Sequence, residues 1–320
     1  MSARAERLRP LLSFTVRAAV TLLALWWIFR SVDVGALARG VREADRGWMI
    51  ASIGIFFLAQ FACIARWALL VPSHPAVRWP FLTRSFFVAS FFNTLLPTTV
   101  GGDVVRSYDL IRATGQWRSA LASVLMDRLI GFFGFILLAL AAWMALPAAR
   151  EDPVIRSSFF AFLAVVAVTF SVLCSRRMWN GMLRPFSRIG LGALGSHAKQ
   201  FQESLLEYFK RPRQLAAAFV VSLGVQLLAI LVFAAVSSAL RLPIPFLFMM
   251  LVVPLLITIS QLPISLNGLG IREGAAVLLL QRIQVPAEQA LALSLICAAI
   301  PLTSAIIGAF IFLTRRKKKR

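Results

Sequence analysis

Eight apolar blocks, separated by shorter polar connections, run through the 320-residue chain. Most are runs of about 20 predominantly apolar residues, the length that an α-helix needs to cross the hydrocarbon core of a bilayer. A β-barrel would instead require shorter segments in which apolar and polar residues alternate. The pattern therefore predicts an all-α polytopic membrane protein. The blocks cover about residues 11–29, 48–71, 81–97, 119–146, 157–174, 214–240, 244–262 and 287–314.

Composition and charge agree with this prediction. Hydrophobic residues make up 59% of the chain, charged residues only 15%, and the mean hydropathy is +0.81, which excludes an ordinary soluble domain. A net charge of +21 would indicate a nucleic-acid partner in a soluble protein, but here the cations lie in loops and tails. In those positions they favour control of topology and attraction to anionic lipid headgroups. We predict a single integral membrane domain over residues 1–320 and no nucleic-acid partner.

Three basic segments determine the predicted orientation. They are the N-terminal ten residues, a basic loop over residues 175–213 and a basic tail over residues 315–320. Basic segments next to membrane spans stay in the cytoplasm. We therefore expect all three segments, and with them both termini, to be cytoplasmic.

The number of apolar blocks then predicts two hairpins that do not cross the membrane. An even number of crossings must separate cytoplasmic segments, but five blocks precede the basic loop and three follow it. Block 81–97 is interrupted by Asn93 and Pro97, and block 244–262 ends at Pro263. We expect these two blocks to turn back, which predicts six full spans plus two re-entrant helical hairpins at about 81–112 and 246–282.

The two predicted hairpins share one motif, which consists of Leu-Pro, a Gly five residues after the Pro and an Arg nine residues after it. Because the hairpins are expected to enter the membrane from opposite sides, the sequence predicts an inverted-topology repeat over about residues 11–146 and 157–314. Transporters with such repeats place the substrate near the membrane midplane. The predicted turn residues are Pro97, Gly101, Gly102, Pro263, Asn267, Gly268 and Gly270.

The motif arginines, Arg106 and Arg272, are candidate ligands for a lipid phosphate. Each lies about one turn into a helix that starts after a Gly turn, where backbone N–H groups favour an anion. Asp127 and Arg128 lie inside a predicted span, where charges are costly unless they are paired or hydrated. The predicted substrate-binding residues are Arg106, Arg272, Asp127, Arg128, Asn93, Asp103 and Glu273, and the expected ion pairs are Arg106–Asp127, Asp103–Arg128 and Arg272–Glu273.

The same charges would also suit an ion-pair network that only locks the hairpins together, and this alternative stays open. Arg66, close to the cytoplasmic end of its span, is expected to extend its guanidinium group to the interface. The three cysteines form no CxxC motif, and the two histidines are far apart in polar connections. We therefore predict no metal site and no cofactor.

Three segments resemble one known family. They run from Phe91 to Pro97 with Gly101-Gly102-Asp103 and Arg106, from Met126 to Gly131, and from Leu262 to Gly274. Over about residues 15–315 the chain is similar to the lysylphosphatidylglycerol synthase transmembrane region, also called the flippase-like family. The resemblance implies a protein of the bacterial inner membrane related to the half that moves aminoacylated phosphatidylglycerol between leaflets. Stand-alone relatives are often associated with other lipids, including hopanoid and polyprenyl-linked lipids.

The best-known members of this family carry a soluble aminoacyl-transferase domain after the membrane region, and the chain up to Arg320 contains no such segment. We therefore expect no enzyme activity but a flippase that moves a phosphate-bearing lipid of phospholipid, polyprenyl or hopanoid type. Two alternatives stay open, a non-transporting partner of a lipid-modifying enzyme and an intramembrane enzyme that acts on lipid phosphates. A homodimer and a complex with a lipid-biosynthesis enzyme are both compatible with the sequence.

Overall fold

The computed structural model describes residue 35 and residues 42–96, 100–175, 200–261 and 265–317. These residues form helices and turns and contain no strand, as the apolar pattern predicts. The helices are α1 (Arg46–Leu70), α2 (Trp79–Leu95), α3 (Gly101–Thr114), α4 (Trp117–Ala145), α5 (Pro147–Glu151), α6 (Pro153–Cys174), α7 (Pro212–Ala239), α8 (Phe246–Gln261), α9 (Ile271–Leu280) and α10 (Ala287–Lys317). Short 3₁₀ turns cover Glu207–Lys210, Leu266–Gly268 and Gln281–Ile283.

Five of the described helices are long and apolar enough to cross a membrane. They correspond to five of the predicted spans and cover Arg46–Leu70, Trp117–Ala145, Pro153–Ser171, Pro212–Ala239 and Ala287–Thr314. Helix α8 is equally apolar but shorter, and it contains Pro254. The predicted first span at 11–29, the basic N-terminus, most of the 175–213 loop, the end of the basic tail, Pro97 and Pro263 lie outside the described residues.

Helices α2 and α3 form the first helical hairpin, and two glycines allow them to pack closely. A Cβ atom on Gly102 would lie 2.6 Å from Asn93 Nδ2 and against the backbone carbonyl of Ala89. The Gly102 N–H donates to Asn93 Oδ1 at 2.7 Å, so Asn93 ties the end of α2 to the start of α3. Gly101 is similarly enclosed by Leu96. The Gly-Gly pair is therefore required by close helix packing.

Helices α8 and α9 form the second hairpin, whose turn uses the left-handed backbone region. Asn267, Gly268 and Gly270 have φ angles of 50°, 75° and 84°. A Cβ atom on Gly268 would lie 2.5 Å from Ser260 Cα, so this turn also packs on the preceding helix. The Gly270 N–H donates to Glu273 Oε2 at 2.7 Å and thereby caps α9.

The two hairpins open toward opposite ends of the helix bundle. The ends of the first lie beside the C-terminus of α1 and the start of α4, where Tyr208 Oη donates to the Leu70 carbonyl at 2.6 Å. The ends of the second lie at the other end, where the Asp45 N–H donates to the Ala239 carbonyl at 2.9 Å. The last turn of α2 contacts the turn of the second hairpin between these ends, because Asn267 Nδ2 donates to the Asn93 carbonyl at 3.1 Å.

Candidate functional site

A polar cavity of about 200 Å³ lies where the first hairpin faces α1, α4, α7 and the end of α8. Its location is unusual because the surrounding helices are strongly apolar. Charged and amide groups that are buried among membrane-spanning helices are energetically costly and are characteristic of functional sites in membrane proteins. The cavity is lined by Cys63, Arg66, Phe86, Ala89, Ser90, Asn93, Asp103, Arg106, Asp127, Arg128, Gly131, Phe132, Phe135, Gln226 and Gln261.

Five charged side chains form a continuous ion-pair network in the wall of this cavity. Arg106 Nη1 donates to Asp127 Oδ2 at 3.1 Å, and Arg106 Nη2 donates to Asp103 Oδ1 at 2.7 Å. Arg128 Nε pairs with Asp103 Oδ2. The predicted ion pairs Arg106–Asp127 and Asp103–Arg128 are thus confirmed. The carboxylates hold the guanidinium groups in fixed positions around the cavity.

Arg66 is the fifth member of the network, and the expectation that it reaches the interface is wrong. Its side chain is buried, with 7% of its surface exposed, and Nε donates to Asp127 Oδ1 at 2.7 Å. Nη1 donates to Ser222 Oγ on α7 at 2.9 Å. The carboxylate of Asp127 and the hydroxyl of Ser222 compensate the buried charge of Arg66.

Helix α7 contributes two polar residues that sequence reasoning missed. Ser222 and Gln226 are one turn apart and both face α4, where Gln226 Nε2 donates to the Gly131 carbonyl at 3.0 Å. A Cβ atom on Gly134 would lie 3.1 Å from Gln226 Cγ, so the glycines of α4 make room for these side chains. The sequence signal that could have identified them is a pair of polar residues four apart in the apolar middle of α7.

Arg128 connects the two hairpins across the cavity. Its Nη1 donates to Gln261 Oε1 at the end of α8 at 2.7 Å, while Nε pairs with Asp103 in the first hairpin. With 23% of its side chain exposed, it is more accessible than Arg66 or Arg106. The Arg106 guanidinium lies 5.1 Å from the centre of the Trp67 ring, an arrangement that adds cation–π stabilisation.

Arg272 lies outside the cavity lining that contains Arg106. Arg272 Nε donates to Glu273 Oε1 at 3.0 Å, which confirms that predicted pair, but Arg272 is not among the described residues that line the cavity. Arg272 is only the second residue of α9 and pairs with Glu273, the residue that caps this helix, whereas Arg106 lies further along α3. Glu273 is fully buried and also accepts from Ser294 Oγ at 3.4 Å. The expected convergence of Arg106 and Arg272 on one cavity is therefore not observed.

The chemistry of the cavity suits an anionic group. Guanidinium groups are donors without an acceptor, and they bind phosphate oxygens with defined geometry. Three of them line the cavity against two carboxylates, and the amides of Asn93, Gln226 and Gln261 add further polar groups. Among the residues that the structure describes, no group of three or more His, Cys, Asp or Glu side chains is placed to hold a metal ion.

Comparison with known proteins identifies the family. No curated protein and no solved structure gives a significant match to the chain. A family model described as the lysylphosphatidylglycerol synthase TM region matches residues 14–308, which include both hairpins and the whole lining of the cavity. The chain therefore belongs to the lysylphosphatidylglycerol synthase transmembrane-region family, as a multi-pass membrane protein with a role connected to membrane lipids.

Proposed function

We propose that this protein moves a phosphate-bearing lipid between the two leaflets of a bacterial inner membrane. The observation that carries the proposal is the polar cavity with three guanidinium groups, enclosed by apolar helices where the hairpins meet. Its volume suits a headgroup, while the acyl or polyprenyl chains would remain in the lipid outside. Membership in a family of lipid-related membrane proteins supports the same substrate class.

The arrangement of the hairpins supports an inverted-repeat transporter. We propose that residues 11–29 form a first span, that both hairpins are re-entrant and that both termini are cytoplasmic. The hairpins open toward opposite ends of the bundle, as such repeats require. Asp127 lies ten residues into α4, which places it about 15 Å from the start of that helix and near the middle of a bilayer.

In the proposed mechanism the headgroup phosphate binds to Arg106 and Arg128. Arg66, which pairs with Asp127 in the same lining, contributes further positive charge. Asp103 and Asp127 orient these guanidinium groups before the lipid arrives, which lowers the entropic cost of binding. We assign Arg272 and Glu273 a different role, in stabilising the start of α9. No chemical step is proposed, because both carboxylates accept from guanidinium groups and neither is placed as a general base.

A second candidate function is that of a non-transporting partner of a lipid-modifying enzyme. The extensive pairing of the cavity charges favours it, since an ion-pair network can also serve only to hold helices together. In that case neutral substitutions in the network would change stability without changing any movement of lipid.

Leaflet-resolved lipid movement in proteoliposomes tests the proposal. Arg128→Gln removes the most accessible cavity cation, and Arg282→Gln is the matched control because Arg282 lies outside the cavity with 40% of its side chain exposed. We expect Arg128→Gln to slow movement of an acyl-labelled anionic phospholipid by about tenfold or more, the loss expected for one charge-assisted contact. The control should move lipid at the wild-type rate.

Two results would contradict the proposal. One is a wild-type protein that moves lipid no faster than protein-free vesicles. The other is a monodisperse Arg128→Gln protein with wild-type rates, which would assign the network a purely structural role.

A further inference from the structure

The charges in the cavity do not balance. The lining contains three guanidinium groups, on Arg66, Arg106 and Arg128, and two carboxylates, on Asp103 and Asp127. One positive charge is therefore in excess. Charge is costly in the low-dielectric interior of a membrane unless it is compensated, so an occupant with one negative charge is favoured over a neutral or a positive one.

Each carboxylate in the lining is already paired with two guanidinium groups. The two oxygens of Asp127 accept from Arg66 and Arg106. The two oxygens of Asp103 pair with Arg106 and Arg128. An ammonium group in the cavity would share these carboxylates with the guanidinium groups and would lie close to three like charges. The lining therefore disfavours headgroups that carry an amine.

The remaining polar lining is neutral and suits hydroxyl groups. It consists of the amides of Asn93, Gln226 and Gln261 and the hydroxyl of Ser90. Each amide carries both donor and acceptor groups, as each hydroxyl of a polyol does, so the two are complementary. Ammonium groups, by contrast, only donate.

We infer that the substrate headgroup is a phosphodiester with a single negative charge and an uncharged polyol as its outer part. This inference rests on the proposed function, which it makes more specific. The phosphate takes the excess positive charge, and the hydroxyl groups bind the amides. Zwitterionic headgroups with an ammonium group, and aminoacylated headgroups with a net positive charge, are poor substrates for this cavity.

The first experiment compares three lipids in proteoliposomes of the wild-type protein. The probes are trace amounts of acyl-labelled phosphatidylglycerol, phosphatidylethanolamine and lysylphosphatidylglycerol. We expect phosphatidylglycerol to move about tenfold faster than phosphatidylethanolamine, from which one charge separates it, and at least as much faster than lysylphosphatidylglycerol, from which two charges separate it. Equal rates, or faster movement of an amine-bearing lipid, would overturn the inference.

A charge variant tests whether the cavity itself sets this preference. Gln261→Glu adds a carboxylate to the lining and makes its charges balance. Gln281→Glu adds the same charge at an exposed position outside the cavity. We expect the rate ratio of phosphatidylglycerol to phosphatidylethanolamine to fall toward one in Gln261→Glu and to stay at the wild-type value in Gln281→Glu. An unchanged ratio in folded Gln261→Glu protein would overturn the inference.

A binding measurement separates this inference from the proposed function. Short-chain forms of the three lipids are added to the detergent-solubilised wild-type protein, and its thermal stability is measured. Stabilisation by phosphatidylglycerol alone, without lipid movement in vesicles, would reject translocation and support the headgroup assignment. Equal movement and equal stabilisation by all three lipids would support translocation and reject the headgroup assignment.

Discussion

At the scale of single residues, Asp127 is the central acceptor of the cavity. It is buried, with 3% of its surface exposed, and each carboxylate oxygen accepts from a different arginine. The two arginines come from α1 and α3, so one carboxylate joins three helices. Burial of one such carboxylate is unfavourable, but removal of its charge from between two fixed cations is more unfavourable still.

Replacement of Asp127 should therefore reduce stability strongly. Asp127→Asn keeps the shape of the side chain but leaves Arg66 and Arg106 without their shared counter-charge. We expect a loss of about 3–5 kcal/mol in the free energy of unfolding, measured by denaturant titration in detergent. Glu203→Gln, at an exposed position outside the cavity, is the control and should change stability by less than about 0.5 kcal/mol. Equal stability of the two variants would contradict the role given to Asp127.

At the scale of helices, the first hairpin depends on glycine where α2 and α3 approach each other. The atoms that a Gly102 side chain would meet belong to the Ala89 backbone and to Asn93, whose Oδ1 holds the Gly102 N–H. A side chain can change its rotamer to relieve such a contact, but the backbone of a packed helix cannot. The two helices would therefore have to separate. Such a separation would also move Asn93, the residue whose carbonyl accepts from Asn267 in the other hairpin.

We predict opposite effects for two Gly→Ala substitutions. Gly102→Ala should lower the free energy of unfolding by about 1–3 kcal/mol, the usual effect of overpacking. Gly224→Ala in α7 adds the same methyl group where no atom lies within 4 Å, and should leave stability unchanged or raise it by up to about 1 kcal/mol. Thermal unfolding of the two variants in the same detergent measures the difference. A Gly102→Ala protein as stable as Gly224→Ala would show that the hairpin tolerates wider packing.

At the scale of the whole molecule, the sequence was informative wherever one local property decides the structure. The lengths of the apolar blocks predicted the five described helices that are long enough to cross a membrane. The energetic cost of a buried charge predicted that Asp127 pairs with Arg106. The partners that were missed are distant in the chain. Arg66 and Asp127 are 61 residues apart, and no periodicity indicates which helices become neighbours.

The duplicated motif also shows that a local sequence pattern does not determine which residues a side chain contacts. Arg106 and Arg272 occupy equivalent positions in the two motifs, yet Arg106 faces the cavity and Arg272 lies against Glu273. The equivalent glycines also differ, because Gly102 lies within α3 whereas Gly268 lies in a turn with a φ angle of 75°. The repeated motif therefore determines neither the backbone conformation of its glycine nor the environment of its arginine, which depends on the neighbouring helices.

The proposed topology makes a further prediction about which surfaces share a side of the membrane. Ser73 precedes the first hairpin and Gln116 follows it, and both are exposed. If that hairpin is re-entrant, both residues face the cytoplasm together with Glu203. Glu151 and Gln281, which are exposed at the other end of the bundle, face the outside. An impermeant maleimide distinguishes the two sides when applied to single-cysteine variants in spheroplasts and in inverted membrane vesicles.

The labelling starts from a protein in which Cys63, Cys174 and Cys297 are replaced by alanine. We expect Ser73→Cys, Gln116→Cys and Glu203→Cys to be labelled only in inverted vesicles, and Glu151→Cys and Gln281→Cys only in spheroplasts. Ser73 and Gln116 are the decisive pair, because a hairpin brings its two ends to the same side, whereas a single crossing brings them to opposite sides. Labelling of these two positions from opposite sides would show that residues 79–114 cross the membrane, and the inverted repeat would then be wrong.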